Sequence, residues 1–337
     1  MEDKVKISII VVGYNGKVYL HDCISSLLDQ ETNTAVEIIY VDNCSSDGSV
    51  DYVKSKFYSV KTVSLTENKG YYEAFNFIAK NVAIGEYLIA LPQDTILHKK
   101  CLQELERVAD SDDNIKICLV NTVYPGCPDF IRMEREKWID YVYLMGTTRL
   151  GVTLLRKKRF SKTPIPILAY SGVSALLKRN TFEKEADFFD TKISHFLGDV
   201  DIGIRANVLG KKVILVPTAI IYHVEDNKQW SSLQLLYRSY LGARDTYLVY
   251  YKNMTLMEFL IFVPFLILGI PTKVFTLRTS WLTKVALFTI SLFLSPIVFI
   301  TSLLNLNKVS SDRKNIVTNR KCSKFWLIKT VVFHRLN

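Results

Sequence analysis

The sequence lacks the cysteine spacing of a zinc or dithiol protein. Its 337 residues contain six cysteines, and no two of them form a Cys-x-x-Cys pair, which is the spacing that structural zinc and redox sites use. The cysteines are scattered, as is typical of buried thiols in a reducing compartment. A chain of this length also buries enough apolar surface to fold without disulfide or metal cross-links.

Three other features are missing and narrow the functional class. There is no repeat at a solenoid period and no low-complexity tract, which excludes repeat arrays and disordered proteins. No signal peptide precedes the first apolar run, so we expect no secretory leader. No nucleic-acid motif accompanies the net charge of +10, which comes from 43 basic and 33 acidic residues. The charge excess therefore indicates an anionic partner other than nucleic acid.

Both the positive charge and the apolar residues are concentrated late in the chain. Residues 307–337 carry eight basic side chains and one acidic side chain, whereas residues 285–307 carry no charge at all. As a helix, the uncharged run would be about 34 Å long, which is enough to cross a hydrocarbon core of about 30 Å. A second uncharged run covers residues 259–272. We therefore predict hydrophobic membrane segments at 256–306 and a basic tail at 307–337.

Several arrangements of these segments stay open. Two spans would form a hairpin that returns the basic tail to the cytoplasm, as the positive-inside rule favours. Alternatively, both helices lie in the membrane interface with the tail on anionic lipid. A buried helix of an ordinary globular domain is a third interpretation, and a single span, which would put the tail outside, is disfavoured. Residues 149–162, with six basic and no acidic side chains, are either a solvated loop or a further membrane-facing segment.

Strand and helix patterns alternate from the start of the chain. Short β-branched runs predict strands, and apolar residues at helical spacing predict amphipathic helices between them. This alternation indicates an α/β fold with a largely parallel sheet. We predict a first domain at 1–232 and an amphipathic connecting helix at 233–255. The predicted strands are 6–12, 37–41, 61–65, 87–91, 115–121, 174–177, 213–217 and 220–223, and the main predicted helices are 20–28, 71–80, 193–209 and 233–251.

Polar residues follow the first four predicted strands. The four strand ends are Gly13-Tyr14-Asn15-Gly16, the segment 42–48, Asn68-Lys69-Gly70 and Pro92-Gln93-Asp94-Thr95. Any one of them alone is ordinary turn chemistry. Because open parallel sheets bind ligands beyond the carboxyl ends of their strands, the four together predict one polar binding site.

Six segments of the chain together resemble the inverting family-2 glycosyltransferases of the GT-A fold, of the rhamnosyltransferase-like type that builds cell-surface glycans. They occur in the family's order over about 215 residues, and the resemblance does not extend over 256–337. It implies a Rossmann-like, mostly parallel catalytic domain and transfer of a hexosyl or deoxyhexosyl unit from a nucleoside-diphosphate sugar. The segments are IIVVGYNG (9–16), VDNCSSDGS (41–49), ENKGYYEAFN (67–76), LPQDT (91–95), YSGVSALLKR (170–179) and FLGDVDIGIRANVLGKKVILVPTAIIYH (196–223).

The resemblance implies a site for the nucleotide sugar. It assigns Tyr14 to stacking on the base and Asp42 to accepting a hydrogen bond from a base N–H group. Asn68-Lys69-Gly70 would lie against the base or ribose, and for Lys69 a solvated surface charge is an equal alternative. Gly172 would let the backbone approach the donor. The implied nucleotide-sugar residues are Tyr14, Asn15, Asp42, Asn68, Lys69, Gly70, Gln93 and Gly172.

The resemblance also implies a divalent cation, Mg²⁺ or Mn²⁺, on the leaving diphosphate. Asp94 is the expected metal anchor, and His223 is the second expected metal or phosphate contact. Many family members carry Asp-x-Asp or Asn-Pro-Asp at this position, whereas this chain has Pro92-Gln93-Asp94. The missing first acid predicts weaker metal binding. For His223 a structural role is an equal alternative.

Asp199 is the residue that the resemblance assigns to the general base. Inversion in one displacement needs one carboxylate to deprotonate the acceptor hydroxyl, and no covalent nucleophile is required. The family motif is usually Glu-Asp-x-Asp, but this chain has Gly198-Asp199-Val200-Asp201. Asp201 and Arg205 are four residues apart on one predicted helix, and we expect them to form a salt bridge on the helix surface.

These observations predict a membrane-attached, inverting glycosyltransferase. Its catalytic domain would face the cytoplasm, and its acceptor would be a membrane-linked glycan such as a polyprenyl-linked saccharide. A processive polysaccharide synthase is an alternative, but such enzymes carry Gln-x-x-Arg-Trp before their membrane helices, and this sequence does not reproduce it. A non-catalytic sugar-nucleotide-binding or membrane scaffold protein is the other alternative, because the metal and base motifs are both incomplete.

Overall fold

The structure is a computed structural model in which strands and helices alternate over the first hundred residues, as the apolar pattern predicts. It describes residues 4–123, 141–147, 153–159, 161–169, 174–182, 187–193, 197–224, 232–271 and 280–333. The first nine elements are β1 (Ile7–Gly13), α1 (Lys17–Leu28), β2 (Val36–Asp42), α2 (Ser49–Lys56), β3 (Lys61–Ser64), α3 (Gly70–Asn81), β4 (Tyr87–Pro92), β5 (Thr95–Leu97) and α4 (Cys101–Ala109).

The later elements complete the sheet and then become entirely helical. The strands and the helix between them are β6 (Ile115–Val123), β7 (Tyr141–Thr147), β8 (Thr153–Arg159), β9 (Ile165–Pro166), β10 (Ala175–Lys178), α5 (Gly198–Val208) and β11 (Lys212–His223). The remaining helices are α6 (Ser232–Asn253), α7 (Leu256–Gly269), α8 (Trp281–Leu303), α9 (Leu306–Thr318) and α10 (Trp326–Phe333).

Nine of the described strands form one mixed sheet in the order β3-β2-β1-β4-β10-β6-β11-β5, with β9 paired to β11. Strands β1, β2, β3, β4, β6 and β11 share one direction, and β5, β9 and β10 run against them. The predicted α/β fold with a mostly parallel sheet is therefore confirmed. The two strands predicted at 213–217 and 220–223 are instead one strand, β11, with an irregularity between Val216 and Ile220.

The basic stretch at 149–162 contains β8, which pairs antiparallel with β7 in a separate two-stranded sheet. The rest of this stretch is described only at 161–162. Whether the stretch faces solvent or a membrane therefore stays a prediction.

Strand β1 is buried along its whole length, because the sheet is covered on both faces. Ile7, Ile9 and Val11 pack with residues of α1, α2 and α4 on one face. Ile10 and Val12 pack with residues of α3 and α5 on the other face. The continuous apolar run in the sequence is the consequence of these two cores.

The five described cysteines are free thiols, and three of them are buried, as the scattered spacing predicts. Burial raises the pKa of Cys23 to about 12, so this thiol is inert at neutral pH. Cys44 is exposed and Cys322 is half-buried, which differs from the expectation, and Cys127 lies outside the described residues.

The C-terminal helices share a hydrophobic core with α5. Val200, Ile204 and Val208 of α5 belong to the same buried cluster as side chains of α6, α7, α9 and α10. The backbone N–H of Lys321, between α9 and α10, donates to the carbonyl of Val208 at 3.0 Å. The last helices are therefore packed directly against the helix that carries Asp199.

A buried cluster of charges joins α6 to α5. Lys252 Nζ, 1% exposed, lies 2.7 Å from Asp190 Oδ2 and 2.8 Å from Asp201 Oδ2. Asn253 Nδ2 donates to Asp201 Oδ1 at 2.9 Å. The predicted pair of Asp201 with Arg205 is present as a long ion pair, but its predicted place on the helix surface is wrong. Asp201 is fully buried and Arg205 Nε is 3.9 Å away, because α6 covers this face of α5.

The apolar C-terminal segments are only partly covered by the rest of the chain. Leu260 on α7 and Leu282 and Phe293 on α8 are 59%, 81% and 74% exposed. Among the described residues no single helix meets the length and hydropathy of a membrane span. One pair of helices, Leu287–Leu303 and Leu306–Thr318, meets both requirements together, but it is bent by 72°.

We expect the free energy of unfolding to fall as the pH drops below about 4. Burial raises the pKa of Asp190, but the charge and hydrogen bond of Lys252 outweigh it and hold that pKa below 3.8. The unfolded chain therefore takes up the proton first, and the stabilisation disappears as the pH falls through the folded-state pKa. Denaturant titrations between about pH 5 and about pH 2 measure this. Asp190→Asn should lose less stability than the wild type on acidification, and parallel losses would contradict the assignment.

Candidate active site

Four strand ends meet at one edge of the sheet, as the polar strand ends predict. The register pairs Gly13 of β1 with Asp42 of β2, and Asp42 with Ser64 of β3. On the other side, Val12 pairs with Pro92 of β4. The loops that follow β1, β2, β3 and β4 therefore form one continuous rim, which is where open α/β sheets bind ligands.

Hydrogen bonds from Asn15 hold the first two loops together. Its backbone N–H donates to Ser45 Oγ at 2.9 Å, and its Oδ1 accepts from the backbone N–H of Ser46 at 2.8 Å. Asn15 has a φ of 46°, a left-handed conformation that asparagine tolerates better than most residues. This geometry leaves Tyr14 at the rim with 49% of its surface exposed. Tyr14 is therefore accessible to an aromatic ligand.

Asn43 joins the second loop to the third. Its Nδ2 donates to Asn68 Oδ1 at 2.9 Å, and its Oδ1 accepts from the backbone N–H of Lys69 at 2.9 Å. Asn68 Oδ1 also accepts from the N–H of Gly70, whose φ of 75° favours glycine. The sequence analysis included Asn43 in the polar strand end 42–48 but gave it no role of its own.

Asp42 and Lys69 have different environments in this rim. Asp42 is 3% exposed, and its Oδ2 accepts from the backbone N–H of Ser45 at 3.0 Å. Lys69 Nζ lies 2.7 Å from Glu67 and 3.3 Å from Glu73, and these hydrogen bonds raise the pKa of Lys69. Lys69 therefore belongs to a surface cluster of charges, whereas the buried Asp42 stabilises the loop after β2.

Gln93 lies across the first loop. Its Nε2 donates to the carbonyl of Tyr14 at 3.0 Å, and a Cβ at Gly16 would fall 1.9 Å from that nitrogen. Its Oε1 is buried and has no hydrogen-bond partner among the described residues. Gln93 therefore has an acceptor in the rim that a ligand can satisfy.

Asp94 and His223 form a pair at the end of the sheet. Asp94 Oδ2 is 3.3 Å from His223 Nε2, and β5 and β11 hold them together because His223 pairs with Thr95. No group of three or more potential metal ligands occurs within the described part of the chain. Two ligand atoms at this spacing nevertheless fit neighbouring positions around a cation whose other ligands come from phosphate oxygens and water. The donor set thus fits a metal that is shared with a substrate diphosphate.

Asp199 lies in the first turn of α5, where Tyr72 supports it. A Cβ at Gly198 would fall 2.5 Å from the Tyr72 ring, and that ring stacks on Phe189 at 4.7 Å. The backbone of Asp199 and Gly198 hydrogen-bonds to the Tyr72 hydroxyl. The Tyr72 ring therefore occupies the space into which a side chain at position 198 would project, which explains why this position is glycine.

Tyr71 lies within electrostatic range of both Asp94 and Asp199. Burial, and then the charges of Asp94 and Asp199, raise the pKa of Tyr71 well above its usual value. Asp94 and Asp199 come from distant parts of the sequence, yet both lie close enough to act on the same hydroxyl group. Sequence reasoning missed Tyr71 and Tyr72, because aromatic residues in an amphipathic helix pattern usually indicate core packing.

One predicted site residue cannot be compared with the others. Gly172 lies outside the described residues, so its contact with the donor stays a prediction. The other predicted nucleotide-sugar residues all belong to the rim. They are Tyr14, Asn15, Asp42, Asn68, Lys69, Gly70 and Gln93.

We expect Gly198→Ala to lower the free energy of unfolding by about 1–3 kcal/mol, which is typical of overpacking. The added methyl group meets the Tyr72 ring, and this ring is confined by Phe189. Gly242→Ala on α6 is a matched control, because a Cβ there has no heavy atom within 4 Å. The control should be neutral or stabilising, since alanine favours helices over glycine. Equal effects in denaturant titrations would contradict the contact.

Comparisons with known proteins agree with this geometry. Residues 8–185, more than half of the chain, match the family model described as Glycosyl transferase family 2. The chain is 32% identical over 199 residues to a poly(ribitol-phosphate) beta-glucosyltransferase of Bacillus spizizenii, a match that covers 55% of this chain and 31% of that protein. The chain spans about 30% of the length of the curated relatives that it matches.

Two solved structures share the fold. A crystal structure of TarS 1-349 from S. aureus gives a TM-score of 0.54 at 15% identity and covers 94% of this chain and 92% of that one. A crystal structure of GalNAc-T7 with UDP, GalNAc and Mn²⁺ gives 0.56 at 16% identity and covers 74% and 48%. The family match ends before residues 256–337, as expected, although the fold similarity to TarS includes most of that region.

Proposed function

Because the chain belongs to glycosyl transferase family 2, we propose that it transfers a sugar, with inversion, from a nucleoside-diphosphate sugar to a hydroxyl group of a glycan acceptor. The observation that carries this proposal is the rim of strand ends together with the Asp94–His223 pair beside it. A single displacement needs one group at the leaving diphosphate and one base at the attacking hydroxyl. Asp94 and Asp199 supply these two roles from separate elements.

The rim of strand ends would bind the nucleotide. Tyr14 is exposed enough to stack on the base, and the loop of Asn68, Lys69 and Gly70 is held beside Asn43 to line the ribose. The buried Oε1 of Gln93 can accept a hydrogen bond from a ribose or sugar hydroxyl. The loop of Asn68, Lys69 and Gly70 and the Gln93 side chain are held by hydrogen bonds that involve backbone atoms, so this part of the site is preorganised.

Asp94 and His223 would hold a divalent cation, Mg²⁺ or Mn²⁺, together with the diphosphate oxygens. Such a cation, when bound, neutralises the charge that develops on the leaving diphosphate. With two protein ligands in the described residues, most of the coordination sphere would come from substrate and water. Chelation is therefore expected to reduce donor affinity as well as turnover.

Asp199 would remove the proton from the acceptor hydroxyl. It is partly exposed at the start of α5, so an acceptor can reach it from solvent. Tyr72 and the backbone around Gly198 fix its position. The mechanism requires the base to act on the side of the sugar opposite the diphosphate, and we propose that Asp199 does so.

The acceptor is proposed to be a membrane-linked glycan or glycopolymer, such as a polyprenyl-linked saccharide. The relative from Bacillus spizizenii is described as acting on poly(ribitol-phosphate), a polyanion. The net charge of +10 favours a polyanionic acceptor in the same way. The hexosyl or deoxyhexosyl identity of the transferred unit stays part of this proposal.

We also propose that the protein works at the cytoplasmic face of the cell membrane. The support is the exposed apolar surface of α7 and α8 together with the net charge of +7 over residues 307–337. Apolar side chains beside basic ones are typical of binding to an anionic lipid surface.

Vesicle co-sedimentation of the full chain tests the membrane proposal. Binding should be stronger to vesicles of phosphatidylglycerol and phosphatidylcholine than to phosphatidylcholine alone. Leu282→Asn with Phe293→Asn should weaken it, whereas Val18→Asn, at an equally exposed apolar position on α1, should not. If the full chain binds neither type of vesicle, the proposal is contradicted.

A panel of nucleotide sugars tests the proposed function. Thermal unfolding of the full chain is measured with UDP-, GDP-, dTDP- and CDP-sugars, each with Mn²⁺ and with a chelator. One nucleotide class should raise the Tm, and chelation should reduce the shift, because ligands that bind only the folded state stabilise it. No shift with any donor would contradict the proposed function.

A further inference from the structure

Tyr71 is fixed at the reacting centre by its packing. It lies in the first turn of α3, directly after Gly70. Its ring is 5.8 Å from the Tyr72 ring and 6.4 Å from the Phe189 ring, both in inclined contacts. Aromatic pairs with this geometry restrict the ring, so the position of the hydroxyl is set before any substrate binds.

The Tyr71 hydroxyl has no hydrogen-bond partner among the described residues, although it is buried. A buried polar group without a partner is unfavourable and calls for an explanation, such as a ligand. A phenol is protonated at neutral pH and can donate as well as accept a hydrogen bond. Tyr71 therefore offers an O–H donor at neutral pH.

The position of the Tyr71 hydroxyl determines which part of the substrate it can contact. On the proposed mechanism the diphosphate lies at Asp94 and His223, and the acceptor hydroxyl lies at Asp199. The sugar ring that moves from one to the other must occupy the space between them. Tyr71 directly follows Gly70 of the rim, and its ring contacts that of Tyr72, which lies against Gly198 next to Asp199. Its hydroxyl therefore lies between the rim and the proposed base.

We propose that Tyr71 Oη donates a hydrogen bond to the sugar unit of the donor, which makes Tyr71 a substrate-contacting residue that contributes to donor recognition. This inference rests on the proposed function. The group that Tyr71 recognises is a hydroxyl or carbonyl oxygen on the transferred sugar. A diphosphate oxygen is the alternative partner, and comparing the nucleotide sugar with the nucleoside diphosphate distinguishes the two.

Tyr71→Phe in the full chain removes the hydroxyl and keeps the ring. The donor and nucleotide are those that the panel selects, for example UDP-glucose and UDP with Mn²⁺ if it selects uridine. We expect kcat/KM for the nucleotide sugar to fall about 10-fold or more, while the Kd of the nucleoside diphosphate stays within about two-fold. Tyr87→Phe is the matched control, because Tyr87 is buried on β4 with its hydroxyl on Asp110, away from the rim.

The stability of the ligand-free protein provides a second readout. Tyr71→Phe should leave the Tm unchanged or raise it, because it removes a buried hydroxyl without a partner. A hydroxyl that merely supports the fold would instead lower the Tm when it is removed.

Three results would overturn the inference about Tyr71. They are an unchanged kcat/KM, an equal loss of affinity for nucleotide sugar and nucleoside diphosphate, and a lowered Tm in the ligand-free variant. If the wild type binds no nucleotide sugar at all, the proposed function fails and the inference fails with it.

Discussion

Replacing Asp199 with asparagine is expected to lower the rate of sugar transfer by about 10²–10⁴-fold, the usual contribution of a general base. Asparagine keeps the size of the side chain, and its Oδ1 can still accept from the backbone N–H of Val200, as that of Asp199 does at 2.8 Å. The change removes only the ability to accept the acceptor's proton. Nucleotide affinity should therefore stay near that of the wild type, because the nucleotide rim is formed by the loops after β1, β2 and β3.

The measurements are initial rates of transfer and calorimetric binding of the nucleotide to each variant. Asp51→Asn is a matched control, since Asp51 is an exposed carboxylate in the first turn of a different helix, α2. It should leave both quantities unchanged. Undiminished turnover in Asp199→Asn would remove Asp199 from the role of base, and a parallel loss of nucleotide binding would indicate a structural role.

Lys252→Met is expected to lower the free energy of unfolding by about 3–5 kcal/mol, which is typical when one partner of a buried ion pair is removed. Methionine has a similar length and fits an apolar site, so the main effect is the loss of the charge. The change leaves Asp190 and Asp201 buried without their cation. A loss of this size is a large fraction of the stability of most domains.

Lys80→Met serves as the control for that experiment. Lys80 pairs with Asp187 at 2.7 Å, but both side chains are about two-fifths exposed, and exposed pairs contribute about 0–1 kcal/mol. Denaturant titrations compare the two variants with the wild type. If Lys252→Met lowers the free energy of unfolding by no more than Lys80→Met does, the buried cluster does not stabilise the packing of α6 on α5.

The sheet and most of its helices could be predicted because their signals are local. Apolar β-branched runs mark β1, β2 and β4, and periodic apolar positions mark α1 and α3. The polar rim could be predicted too, because parallel strands bring their carboxyl ends to one edge. These parts of the account follow from spacing and residue type alone.

The remaining features depend on contacts between residues that are far apart in the chain. The spacing predicted Arg205 as the partner of Asp201, but Arg205 is only a distant partner at 3.9 Å, and the closer partner, Lys252, comes from a helix 51 residues later. Gly198 could be noted as a missing acid, yet only the structure brings the Tyr72 ring against it. Hydropathy predicts membrane segments in the C-terminal helices. It cannot distinguish an apolar face that packs on α5 from one that faces lipid.

The proposed reaction is a single displacement between the diphosphate at Asp94 and an acceptor that Asp199 deprotonates. The anomeric configuration of the product tests it most directly. Using a nucleotide sugar whose sugar is α-linked to the diphosphate, the purified full chain is allowed to glycosylate the acceptor, and the new linkage is identified by NMR. We expect a β-linked product. An α-linked product would require a different mechanism and would contradict the roles assigned to both carboxylates.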